Sequence, residues 1–146
     1  MNQEGYQADE DIKTAPPQGS AIKAIKTRKD TLLEDMYKLL EAQREKNEEL
    51  YKLKRARQVL EHEANVKEAH YLATVANDYP TKETRAAAAQ GYLEEDEGHK
   101  EIRSQIDAVD EEIFTAKLDL DGFLGEWKIL VVESQLIGTG NGCQCQ

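Results

Sequence analysis

The sequence is poor in what a compact core is usually built from. Aromatic residues make up 6% of its 146 residues, with a single tryptophan, while charged residues make up 33%. A globule of this length, enough for one domain, ordinarily has more large apolar side chains to bury. The balance therefore points either to helices paired along their length or to partial disorder, and periodicity must decide. Cysteine is nearly absent: Cys143 and Cys145 both fall in the last four residues, where no disulfide could staple a core. A run of about 18 apolar residues is missing, which excludes a membrane-spanning helix. The opening Met1-Asn2-Gln3-Glu4 lacks a basic region followed by an apolar one, so no signal peptide is expected, and the simplest address is the cytoplasm. From Ser20 to Asn77 there is neither proline nor glycine.

Helical periodicity is present instead. Residues 1–19, with four acids, one lysine, Pro16-Pro17 and two glycines, read as a disordered arm. Ser20 is a candidate helix cap. Ile22, Ile25, Leu32, Leu33, Met36, Leu39 and Leu40 then form an apolar stripe at helical spacing. The stripe thins over the polar stretch 43–49 and resumes with Leu50, Leu53, Val59, Leu60, Ala64, Leu72 and Val75. Asn77-Asp78-Tyr79-Pro80-Thr81 is a turn, because proline disfavours helix at the residue before it and Thr81 can cap the next helix. A second helical region runs to about Gln135, with an interruption point at Asp96-Glu97-Gly98. Ile102, Ile106, Val109, Ile113, Ala116, Leu120, Leu124, Trp127 and Val131 step by threes and fours, the pattern of a helix packed lengthwise on another. The glycine-rich stretch 138–146 reads as a flexible tail.

These patterns predict an all-α chain: two long helices in an antiparallel, coiled-coil-like hairpin over 20–137, turning near 77–81. The segments on either side of the turn hold 58 and 55 residues, so folding back covers both stripes. Reflection about the turn sets Leu32, Leu33 and Met36 opposite Leu120, Leu124 and Trp127. Charge favours the same pairing. Residues 20–77 carry 12 basic and 10 acidic side chains, a net of +2, and residues 81–135 carry 6 and 14, a net of -8. A two-helix pair buries only one stripe on each helix, so Tyr37, Leu40, Phe114, Leu118, Phe123 and Leu130 are left for a second contact, with self-association as the expectation.

Sites of chemistry are scarce. The three histidines, His62, His70 and His99, have no Glu-x-x-His pairing and no cysteines nearby, so they read as solvated helix residues; no metal and no cofactor is expected. There is no Gly-x-Ser-x-Gly and no phosphate loop, because Gly138-Thr139-Gly140-Asn141-Gly142 has no helix to open. These absences predict a non-enzymatic protein. Two basic clusters bear on nucleic acid: Lys23, Lys26, Arg28 and Lys29, and then Lys52, Lys54, Arg55 and Arg57 beside Tyr51. Against them stands the chain's net charge of -10, from 29 acids against 19 bases.

The run Pro80-Thr81-Lys82-Glu83-Thr84-Arg85-Ala86, the acidic linker, the Ile/Val-stepped helix and Trp127-Lys128 near its end resemble a class of small bacteriophage helical-hairpin proteins. In that class a long helix leads to a Thr-x-x-x-Arg turn and a second helix ending in a Trp-basic pair. The resemblance covers roughly residues 30–135 and implies a phage accessory role in the host cytoplasm. The outline is also similar to phage recombination mediators, from which the chain departs in its acidity and its lack of basic, aromatic-rich ends. The expected function is an adaptor that binds a protein partner through its acidic second helix, with no membrane contact. The alternatives are a nucleic-acid-binding recombination or replication accessory, acting through Lys52, Lys54, Arg55 and Arg57, and a structural virion component.

Overall fold

The computed structural model describes the backbone of residues 17–142 and the side chains of residues 27–138. Over these residues the chain is helical, with three helices and no strand: α1 (Pro17–Val75), α2 (Lys82–Glu95) and α3 (Glu97–Gly142). Sequence periodicity predicts two long helices; the structure divides the second into α2 and α3.

Helix α1 begins three residues ahead of Ser20. Proline is tolerated in a first helical turn because its missing N–H would have no intrahelical acceptor there. The last three residues of the expected arm are thus helical, and residues 1–16 lie outside the described chain. The helix also runs unbroken through the polar stretch 43–49. Lys46 bridges to Glu49 at 2.6 Å within that stretch, a pair that faces itself across one helical turn.

After Val75 the chain turns through 76–81. The Asp78 N–H donates to the Val75 carbonyl at 3.1 Å, and Arg85 Nε reaches back to the Tyr79 carbonyl at 2.8 Å. Thr81 caps α2 as expected. Its hydroxyl accepts the Thr84 N–H, and its own N–H donates to the Thr84 hydroxyl, each at 3.2 Å.

The break at Asp96 has a local cause. Asp96 is extended, with φ -80° and ψ 105°, and its N–H closes α2 on the Leu93 carbonyl. Its carboxylate accepts the His99 N–H at 2.9 Å, the bond an N-cap makes, so one residue ends one helix and begins the next. Gly98 belongs to this joint: a Cβ there would lie 3.2 Å from both Asp96 Oδ1 and Lys67 Nζ. Helix α3 then runs through Gly122 and Gly125 to Gly142, so residues 138–142, expected in a flexible tail, are helical. Once a helix is nucleated, each further residue adds a hydrogen bond, which offsets weak local propensity. Residues 143–146, with both cysteines, lie outside the described chain.

The contacts divide the chain into two compact units. Among the described residues, one contains 17–41 and 124–142. Its core holds Leu32 and Leu39, with Met36, Trp127 and Val131 half-buried. Two of the residues expected in the seam stand outside it: Leu33 is 52% exposed and Leu124 45%. Consecutive helical residues point about 100° apart, so with Leu32 inward Leu33 cannot be. Arg28 grips Glu133 with two nitrogens, at 2.6 and 2.7 Å.

The other unit contains residues 42–123. Ala64, Val75, Ala89, Leu93, Ile106, Ile113 and Ala116 are buried in it, and Ile102, Val109 and Leu120 are half-buried. Three of these are alanines, which let helix backbones approach closely. Cross-helix ion pairs flank this core: Lys46 with Asp119 at 3.3 Å, Arg57 with Asp110 at 2.5 Å, and Arg103 with Glu68 at 2.6 Å.

Candidate functional site

The densest polar constellation is the joint around Asp96. Its carboxylate accepts the Tyr71 hydroxyl at 2.6 Å and the His99 N–H at 2.9 Å, and Lys67 Nζ stands 3.3 Å away. The Tyr71 hydroxyl, the His99 N–H and then Lys67 hold this carboxyl far below the usual carboxylate range. The same bond raises the Tyr71 phenol above its ordinary value, since ionising it would set two anions together. Tyr71 also stacks on Tyr92, with ring centroids 5.8 Å apart and planes within 6° of parallel. Three helices thereby meet on one carboxylate. Its donors fix the geometry of the joint.

His99 lies next to this joint and is only 9% exposed, a correction to the solvated histidine expected. It sits three residues before Ile102, on the seam that Ile102 and Ile106 continue, and so turns inward with them. Its Nε2 is 3.4 Å from Glu68 Oε1 but makes no hydrogen bond among the described residues. His62 and His70 are both exposed on α1. Among the described residues no group of three or more His, Cys, Asp or Glu is placed to hold a metal.

The basic residues Lys52, Lys54, Arg55 and Arg57 do not form one surface. At about 100° per residue, Lys52 and Arg55 share one side of α1, and Lys54 and Arg57 another. Arg57 is committed within the chain: Nε donates to Asp110 at 2.5 Å and Nη1 to Glu61 at 2.8 Å. These bonds, Asp110 first, raise its already high pKa. Lys52 lines a shallow groove with Glu45, Glu48, Glu49 and Glu112, where the local charge is negative. Lys54 and Arg55 are exposed. In the earlier cluster, Arg28 is held by Glu133, which raises the arginine and lowers the acid. Lys29 is exposed, and the side chains of Lys23 and Lys26 lie outside the described ones.

A second groove is lined by His99, Lys100 and Arg103 together with Glu94 and Asp107. Its charges nearly balance, which gives it no preference for an anion.

Two kinds of exposed surface remain. Asp107, Glu111, Glu112, Asp121 and Glu126 of α3 are exposed and form no ion pair with another described residue. Of the six apolar residues expected off the seam, Tyr37, Leu40, Phe114 and Leu118 are exposed, and Phe123 and Leu130 are half-buried. Ile129, Val132 and Leu136 are exposed as well, although the inward periodicity does not single them out. Their own spacing of three and four is the available signal, masked by the stronger inward stripe on the same helix. No described helix is long and apolar enough to cross a membrane. The chain matches no family model, no curated protein and no solved structure.

Proposed function

We infer that this chain is a non-enzymatic helical interaction protein, in which α1 and α3 form an antiparallel hairpin that binds a basic protein partner through α3. The observation that carries this reading is how the ion pairs are distributed. Arg28, Lys46 and Arg57 of α1 pair with Glu133, Asp119 and Asp110 of α3, so the second partner's number falls as the first rises, as an antiparallel pairing requires. These cations of α1 are thus engaged by α3, while Asp107, Glu111, Glu112, Asp121 and Glu126 keep their charge for another molecule. A surface of one sign steers an oppositely charged partner and selects against like-charged ones. The phage accessory role rests on the resemblance alone. Direct strand binding is the less favoured reading, since Arg57 is occupied and Lys52 lies among glutamates.

The test is a titration of the full chain against a synthetic amphipathic helix with lysines on its polar face. Binding that weakens with salt and is lost in the Glu111→Lys, Glu112→Lys variant is expected. Binding indifferent to that reversal contradicts the acidic-face reading.

A further inference from the structure

The unit built from residues 17–41 and 124–142 has an apolar stripe on each helix that its own fold leaves uncovered. On α1, Leu33, Tyr37 and Leu40 are exposed by 52, 74 and 45%. Leu33 and Leu40 each follow a buried leucine, Leu32 and Leu39, and so stand about 100° round the helix from the row that faces α3. On α3, Ile129, Val132 and Leu136 are exposed by 68, 54 and 68%. They lie between about 140° and about 200° round from half-buried Trp127, on the side of α3 away from α1. The two stripes therefore face different directions, and neither can cover the other within one chain.

Their spacings correspond. Along α1 the stripe advances by four and then three; read backwards along α3, from Leu136 to Ile129, it also advances by four and then three. Helices packed antiparallel on such stripes set each large side chain level with one across the seam. We propose that the α1 stripe of one copy docks, antiparallel, on the α3 stripe of a second copy. In that register Leu33 meets Leu136 of the second copy, Tyr37 meets Val132, and Leu40 meets Ile129. At their exposures the two stripes together present roughly 700 Å² of apolar surface, and apolar atoms supply little more than half of an ordinary interface, so a contact that covers them exceeds the roughly 1,000 Å² in total that a specific interface needs. Because the two faces differ, the contact is heterologous: each copy keeps one stripe free for a third, and association adds copies beyond two. Charge restrains it along one flank, where Glu34 comes beside Glu133 of the second copy and Glu41 beside Glu126. Glu34 is already paired with Lys38 and Glu133 with Arg28, at 3.0 and 2.6 Å, which lessens the first of these repulsions. The inference does not depend on a basic partner for α3, because it concerns the apolar stripes and not the carboxylates.

The test uses the full chain with Cys143→Ser and Cys145→Ser, so that the tail thiols cannot cross-link. In sedimentation its mass should climb past twice the 16.5 kDa of one chain as concentration rises. Tyr37→Glu blocks the α1 stripe and Val132→Glu the α3 stripe, so each variant alone should sediment as a monomer with its helical circular dichroism kept. Mixed in equal amounts, the two should form a dimer and nothing larger, since the free α3 stripe of the first meets the free α1 stripe of the second. A Tyr37→Cys protein mixed with a Val132→Cys protein should join through a disulfide on mild oxidation, while neither does so alone. That cross-link reports the register even if a glutamate variant loses helix. A parent protein that stays monomeric, a glutamate variant that still associates with itself, two helical glutamate variants that do not combine, or a cysteine pair that does not cross-link overturns the proposal. A monomeric parent that still binds the lysine-bearing helix overturns this inference and leaves the acidic-face reading standing.

Discussion

Asp96 concentrates several tasks in one side chain. It ends α2, starts α3, and accepts from Tyr71 and Lys67. A carboxylate so well supplied with donors is favoured in its ionised form far more in the folded chain than in the unfolded one. Its contribution is therefore complete at neutral pH and is lost as pH falls below the ordinary carboxylate range of about 4, where the unfolded chain binds the proton first. Melting temperature followed from pH 7 to pH 2 should fall steeply below about pH 4 in the parent protein and less steeply in Asp96→Asn. Equal slopes would remove Asp96 from the account. The amide keeps an N-cap oxygen, so Asp96→Asn should also melt above Asp96→Ala at neutral pH. In sequence, Asp96 is legible as a break beside Gly98. The bond from Tyr71, 25 residues away, is not, because no local pattern encodes it.

At the scale of the helix, spacing tells more than composition. The turn before Thr81, the break near Asp96, and the inward positions Leu32, Ile106 and Ile113 all come from proline, capping residues and steps of three and four. What spacing leaves ambiguous is phase, where two apolar residues stand side by side. Leu32 is 3% exposed and Leu33 52%, and only the helix opposite decides which turns in. His99 departs from expectation for a related reason: its residue type suggests solvent, while its position on the seam places it inside. Phase has a measurable consequence. Leu32→Ala should cost about 2 to 4 kcal/mol in denaturant unfolding, because a cavity is left behind, and Leu33→Ala less than about 1 kcal/mol. Similar losses at the two positions would contradict the assigned phase.

Over the whole chain, the deciding quantity is how charge is distributed after folding. The net of -10 is evident from composition. That Arg57 pairs with Asp110 and Glu61, and that Lys52 sits among glutamates, requires the helices to be in place. Clustering along the sequence makes the cations look like a phosphate-binding surface, and the helical arrangement disperses them. The most direct test of this account is fluorescence anisotropy of a labelled single strand and a labelled duplex, titrated with the full chain at low salt and again at about 0.2 M, where phosphate-dominated binding weakens by orders of magnitude. No rise in anisotropy is expected for either probe at either salt. Binding that appears at low salt, falls steeply at the higher salt and is lost when Lys52, Lys54 and Arg55 become alanine would contradict it.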